Sequence, residues 1–144
     1  TEILKHFLGA TGKQLLIEQP FRCDYGYNIR VGENFYANMG CTILDEALVT
    51  FGDNVLLAPN VSIYTAGHAV NVAQRIVGWE YAYPVTVGHN VWIGGNVVIL
   101  PGVSIGDNSI IGGGSVVTKD IPANVIAVGN PCKVIRELTE DELK

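Results

Sequence analysis

The sequence predicts an all-β parallel coil wound from hexapeptides, and three observations predict it. An aliphatic residue recurs at every sixth position through Val87, Ile93, Ile99, Ile105, Ile111 and Val117. A helix repeats at about 3.6 residues and a strand at about 2, so a sustained period of six requires one short strand and one corner per repeat. Next, Val87-Gly-His-Asn-Val91 returns three hexapeptides later as Ile105-Gly-Asp-Asn-Ser109, which makes each turn three-sided. Finally, Gly32-Glu-Asn34, Gly52-Asp-Asn54, Gly88-His-Asn90 and Gly106-Asp-Asn108 supply corners, where Gly and, less readily, Asn tolerate positive φ. Stacked coils pair each strand in parallel with the next and bury the sixth-position aliphatics in a narrow interior.

Along the chain, residues 1–20 form an entry segment. Ile3, Leu4, Phe7 and Leu8 have helical spacing that ends near Gly9 to Gly12, and Leu15-Leu16-Ile17 before Pro20 reads as an entry strand. The chain opens on Thr1 without Met, which predicts a trimmed or processed start. Coils run through residues 21–130, interrupted once: after Ile63 the register fails at Ala69, Arg75 and Tyr81 and resumes at Val87. Residues 65–83 are therefore a loop expelled from the coil, and it carries Gly67, His68, Arg75, Trp79, Glu80 and Tyr81, groups that a plain linker does not need. In residues 131–144, Val134, Ile135, Leu138 and Leu143 lie among charges, and Thr139-Glu-Asp-Glu142 resembles a capping box, which predicts a short amphipathic tail helix.

Composition limits the functions open to such a coil. With 144 residues, 17 of them Gly, and 48% hydrophobic content, the chain suits one tightly cornered domain. A net charge of −5 argues against a nucleic-acid or anionic-membrane surface. No apolar run approaches the roughly 20 residues of a membrane span, and no secretory apolar segment opens the chain. Cys23, Cys41 and Cys132 are odd in number and form no CxxC, which reads as reduced thiols in the cytoplasm. Val97, Leu100, Ile110 and Val116 are assigned outside the core register, where pairing between copies would cover them.

Several motifs, in order, carry a resemblance: Phe21-Arg-Cys-Asp-Tyr-Gly-Tyr-Asn-Ile29, Asn34-Phe-Tyr-Ala-Asn38, Ile43-Leu-Asp45, Ala58-Pro-Asn-Val61, Tyr64-Thr-Ala-Gly-His68 and Gly129-Asn-Pro-Cys-Lys-Val134. Together they resemble the maltose and galactoside O-acetyltransferases of the hexapeptide-repeat superfamily, from about Leu4 to Arg136. The resemblance implies a left-handed parallel β-helix, although the ordinary rule for parallel crossovers predicts the right hand. It implies acetyl transfer from acetyl-CoA to a sugar hydroxyl in a homotrimer with active sites between subunits. Members of that family begin with a further helical segment that contributes to the acceptor pocket, most of which is expected to be missing here.

Such chemistry needs a base for the attacking alcohol, and imidazole suits it because it both accepts and returns a proton near neutrality. His68 matches the family's catalytic histidine; read without the motif, a histidine in a polar loop is more often a solvated side chain. His89 occupies a corner where other repeats carry Glu33, Asp53 and Asp107, and His6 has no motif around it. Ala73 stands five residues after His68, so the paired-histidine zinc pattern of γ-class carbonic anhydrases is absent and no metal is expected. By matched motifs Asp24, Tyr36, Asn38 and the pair Asp45 and Glu46 fall at acceptor positions. Asn38 could instead be a corner residue and Tyr36 could pack between coils, and which acid faces the sugar stays open. For acetyl-CoA, Thr118, Lys119 and Arg136 match the family's coenzyme positions and Lys133 stands where the galactoside branch has arginine, cations for the phosphates, while Gly95 and Gly113 leave backbone exposed for the pantetheine arm and Trp92 is expected to wall the tunnel from a face or interface. Tight corner packing explains Gly95 and Gly113 equally well. The cysteines have no base beside them, so direct attack is expected rather than a covalent intermediate. The competing readings are a hexapeptide acetyltransferase for serine, antibiotic or amino-sugar acceptors, and a non-catalytic β-helix serving assembly.

Overall fold

The computed structural model describes residues 1–144 as a three-faced parallel coil. Helix α1 (Glu2–Phe7) precedes β1 (Leu15–Ile17), β2 (Arg22–Cys23), β3 (Ile29–Arg30), β4 (Phe35–Ala37), β5 (Thr42–Leu44), β6 (Val49–Phe51), β7 (Leu56–Leu57) and β8 (Ser62–Tyr64). An arm follows, made of β9 (Ala66–His68), α2 (Val72–Ile76) and β10 (Glu80–Ala82). The coil resumes with β11 (Val85–Val87), β12 (Trp92–Ile93), β13 (Val98–Ile99), β14 (Ser104–Ile105), β15 (Ile110–Ile111) and β16 (Val116–Val117), and ends in β17 (Val125–Gly129) and β18 (Cys132–Glu137).

The strands stack into a seven-stranded face (β1-β4-β7-β12-β15-β17-β18), a five-stranded face (β16-β13-β8-β5-β2) and a four-stranded face (β14-β11-β6-β3). Pairing between successive coils is parallel, with Tyr36 opposite Leu56 and Thr86 opposite Ser104. Each turn thus takes twenty residues early in the chain and eighteen later. No helix is long and apolar enough to cross a membrane.

All six aliphatics of the sixth-position register are buried, as are Val85, Val91, Val97 and Val103, each two residues before a register position. Strand residues two apart share a side, so Val97 belongs to the core and not to the outer surface assigned to it; Leu100, Ile110 and Val116 are partly exposed. Two register neighbours are polar. The Ser109 hydroxyl donates to Pro122 O at 2.7 Å, and the Ser115 hydroxyl donates to Gly112 O and accepts from Gly129 N–H at 2.9 Å, so both are satisfied and hold the last coil down.

Three edges join the faces. Where the four-stranded face turns into the seven-stranded one, Asn34, Asn54, Asn90 and Asn108 carry the left-handed backbone (φ 56°, 58°, 59° and 63°), and the glycines two residues earlier do not. Those glycines serve close stacking instead: a Cβ on Gly52 would lie 2.7 Å from His89 Nδ1 and 2.8 Å from its backbone N. The asparagine amides form a ladder, Asn34 to Asn54 to Asn90 to Asn108 to Asn124, with bonds of 3.0, 3.0, 2.9 and 2.7 Å. His89 lies in the adjoining column, accepting the Asp53 N–H through Nδ1 at 2.8 Å and donating its own N–H to Asp107 at 2.7 Å.

The tail is not a helix. Residues Cys132–Glu137 run antiparallel to β17, from Gly129 opposite Cys132 to Val125 opposite Glu137. The last coil leaves β17 with an open edge, and backbone pairing across it outweighs the apolar spacing that reads as helical. The capping-box bonds do form: Glu142 N–H donates to Thr139 Oγ1 at 3.2 Å and Thr139 N–H to Glu142 Oε2 at 2.9 Å. They close only a turn, because the remaining residues are too few to repay helix nucleation.

Candidate active site

The edge between the five-stranded and four-stranded faces carries most of the polar chemistry. Residues 24–28, 45–48, 65–84 and 118–120 turn there, one coil above another. Thr65 roots the arm: fully buried, its hydroxyl donates to Leu44 O at 2.7 Å and accepts from Ala47 N–H at 3.0 Å. The expelled segment is therefore an ordered hairpin and not an irregular loop, with Glu80 opposite His68, Tyr81 opposite Gly67 and Ala82 opposite Ala66. The phenol end of Tyr81 lies against Gly67 where a Cβ would be, so a side chain there would have to displace that ring. At the arm's tip Asn71 caps α2 by accepting Gln74 N–H at 3.0 Å, and Arg75 donates to Ala69 O and Val70 O.

His68 projects from this hairpin with its side chain 65% exposed, and Nδ1 lies 3.8 Å from Glu80 Oε1. That is charge-contact range rather than a hydrogen bond. Glu80 was visible in the sequence only as a polar residue of the excursion. Its cross-strand pairing with His68 needs the hairpin register to be seen.

The two acids at positions 45 and 46 divide sharply. Asp45 is 0% exposed. Its Oδ1 accepts the N–H groups of Asp24 (3.1 Å) and Tyr25 (2.9 Å), and its Oδ2 those of Gly26 (2.8 Å) and Asn28 (3.2 Å). A carboxylate so occupied holds the 24–28 loop and does not face an acceptor, which corrects its assignment as a ligand. Glu46 is exposed, with Oε2 3.5 Å from Thr65 Oγ1. Asp24 lies beside it. Desolvation, then a hydrogen bond with Glu46 and the charges of Glu46 and Asp45, push the Asp24 carboxyl above its ordinary value.

Tyr36 and Asn38 are elsewhere. Tyr36 faces outward on the seven-stranded face, in register with Leu56 and, through it, Trp92. Asn38 begins the edge between the seven-stranded and five-stranded faces, its Oδ1 accepting Met39 N–H at 2.8 Å. The width of the five-stranded face, roughly 15 Å at strand rise, separates it from the edge that carries His68.

The coenzyme candidates also spread over more than one surface. Gly95 and Gly113 stack on the Asn38 edge, where Gly114 N–H donates to Gly95 O at 2.8 Å, while the N–H groups of Gly95 and Gly113 donate to no acceptor within the chain. A Cβ on Gly95 would meet only Pro59 O at 3.4 Å, so packing does not demand glycine there; Gly113 is tighter, at 3.3 Å from Gly95 O. Gly95→Ala is accordingly expected to leave thermal stability within about 0.5 kcal/mol of the parent, and to raise the KM for acetyl-CoA several-fold if a ligand lies along that backbone. Denaturation and initial-rate kinetics check both halves.

Exposed Thr118 and Lys119 follow β16 on the His68 edge. Lys133 is exposed on β18 opposite Val128. Trp92 and Arg136 line a groove of about 520 Å³ with Ile110, Ile126, Leu138 and Glu142. Arg136 is engaged there, bidentate to Glu142 at 2.7 and 2.9 Å. That guanidinium, with the Thr139 N–H, holds the Glu142 carboxyl down at about 2. Its folded value being depressed, the contribution of this pair is present above the ordinary carboxylate range and is lost only as pH falls toward 2.

Residues 84–119 match the model of the bacterial transferase hexapeptide family (six repeats). The chain is 53% identical over 138 residues to the galactoside O-acetyltransferase of Escherichia coli K12, covering 96% of this chain and 68% of that protein. Among solved structures it is similar to a maltose O-acetyltransferase from Clostridium difficile 630 (59% identity, TM-score 0.95, 96% of this chain and 74% of that one). It is similar also to a galactoside acetyltransferase in complex with coenzyme A (51% identity, TM-score 0.96, 99% and 71%). The winding is the left-handed one of these β-helices.

Proposed function

The chain belongs to the hexapeptide-repeat acetyltransferases of the galactoside and maltose O-acetyltransferase family, and from that premise we propose that it moves an acetyl group from acetyl-CoA to a sugar hydroxyl with His68 as general base. The observation that carries the reading is His68 itself, held out on an ordered hairpin opposite Glu80, on the edge that also bears Asp24 and Glu46.

In the proposed reaction the sugar oxygen attacks the thioester carbonyl as His68 Nε2 takes the hydroxyl proton. The tetrahedral oxyanion is met by a backbone N–H, for which the free N–H of Gly95 is suited. Collapse breaks the carbon–sulfur bond, and the imidazolium returns its proton to the coenzyme thiolate, giving the acetyl ester and free coenzyme A. Glu80 opposes the positive charge that His68 carries between these steps. Asp24 and Glu46 hold neighbouring sugar hydroxyls, and Thr118, Lys119 and Lys133 supply donors and cations for the coenzyme.

We assign the working form as a homotrimer. Gly95 and Asn38 lie across the five-stranded face from His68, so one copy's arm must reach the glycine edge of the next to complete a site. The arm supports this: Val70, Val72, Ile76, Val77 and Trp79 are all exposed on it, a large apolar surface for a lone chain. Its three cysteines are unpaired, which fits a cytoplasmic enzyme.

The deciding experiment is a panel of acceptors incubated with radiolabelled acetyl-CoA. Labelled esters of glucose, maltose or a galactoside are expected. Acetylation of serine, an antibiotic or an amino group without any sugar ester would move the chain to another branch of the acetyltransferases, and no transfer at all would favour an assembly role.

A further inference from the structure

Resting on the sugar-acceptor reading above, we propose that Tyr25 and Tyr27 form an aromatic platform on which the pyranose ring of the acceptor lies. Their rings stack with centroids 5.1 Å apart and planes 29° from parallel, yet both stay in water, 47% and 60% exposed. Among the other aromatics of the early coils, Phe35 and Phe51 pack against each other in the core at 4.9 Å and Phe21, Tyr36 and Tyr64 are partly buried, so this pair is the most exposed of them.

The loop that carries the pair is built to be rigid. Four of its N–H groups, those of Asp24, Tyr25, Gly26 and Asn28, converge on the buried Asp45 carboxylate, and the Asn28 amide adds a bond to Asp45 O at 2.8 Å. Between the two tyrosines Gly26 takes φ +87°, and the Phe7 ring of α1 lies where its Cβ would be. Ordered tyrosines give large contact area at little cost in side-chain entropy.

The chemistry beside the rings selects the occupant. A pyranose has an apolar face of C–H groups and a rim of hydroxyls. C–H groups rest favourably on the electron-rich face of an aromatic ring, while hydroxyls need acceptors at the edge. Asp24, directly before Tyr25, and its neighbour Glu46 provide those acceptors. An acyclic acceptor such as serine or glycerol has hydroxyls for the acids but no ring face for the tyrosines, so the platform distinguishes ringed from ring-less acceptors.

The test compares the full chain with Tyr25→Ala/Tyr27→Ala and Tyr25→Phe/Tyr27→Phe double variants, using maltose and glycerol as acceptors. The alanine pair is expected to lose about ten-fold in kcat/KM for maltose through KM, with the KM for acetyl-CoA and the rate of acetyl transfer to glycerol at high concentration unchanged, and the phenylalanine pair is expected to retain most activity. Equal loss on both acceptors, no loss on maltose, or a loss accompanied by a changed oligomeric mass would overturn the platform. A maltose titration followed by the ring proton shifts of Tyr25 and Tyr27 reads it without turnover. Saturable shifts at those rings support it and their absence overturns it, even if the acceptor panel finds no sugar ester and the transferase reading itself fails.

Discussion

His68→Ala is expected to lower kcat for sugar acetylation by at least ~10²-fold, the scale of a positioned general base, while the KM for acetyl-CoA changes little. The selectivity of that effect follows from the hairpin. His68 stands at the end of β9 with its side chain 65% exposed and its Nδ1 3.8 Å from Glu80 Oε1. Truncation therefore removes a proton acceptor without opening a cavity, and the melting curve should overlay that of the parent. Thr65, rooted by its bonds to Leu44 and Ala47, keeps the arm in place in the variant. Glu80→Gln should cost less, since it removes only the charge that opposes an imidazolium and leaves the base. Steady-state kinetics with a saturating acceptor separate the two. Unchanged turnover in His68→Ala would remove the histidine from the mechanism and require another group as the base.

Much of the scaffold was legible because its rule is steric and local. A sixth-position aliphatic has one place to go in a three-sided coil, and Val87 through Val117 all went there. The same parity, pressed one step further, resolves one point that motif matching left open and one that the sixth-position register misplaced. Ile43 points inward, so Asp45, two residues on, must also point inward and Glu46 outward. Val97 stands in the same relation to Ile99. What local pattern could not supply was partnership across the chain. The excursion announced itself by breaking the period, but its hairpin register depends on short, exposed strands whose pairing has no apolar signature. The tail's Val134, Ile135 and Leu138 read as a helix because nothing nearby reveals that β17 offers a free edge. The resemblance placed Tyr36 and Asn38 with His68 in one site, whereas a single coil puts Tyr36 on the seven-stranded face, Asn38 on the edge beside it and His68 on another edge, a separation that no local pattern reveals.

The other large effect is expected at Asp45. Its substitution by alanine leaves four backbone N–H groups, at 2.8 to 3.2 Å from the present, fully buried carboxylate, without their acceptor. Each orphaned donor costs about 1–3 kcal/mol, reduced where the loop can relax toward solvent. Because the outer residues of the loop are exposed, part of that loss is recovered, and a total of about 3–5 kcal/mol is expected, in line with the breaking of other buried charged networks. For a chain of this size that lowers the melting temperature by roughly 10 °C. Asp45→Asn keeps the shape but turns an N–H₂ group toward backbone donors, so it should fall between alanine and the parent. Glu46→Gln, one residue away and exposed, should melt like the parent and act instead on the acceptor KM. Thermal denaturation followed by circular dichroism, with acceptor kinetics below the transition, sets the two acids apart. Equal melting of all three variants would mean that the 24–28 loop is held by its backbone shape and not by the Asp45 charge, and the rigidity ascribed to Tyr25 and Tyr27 would then need another source.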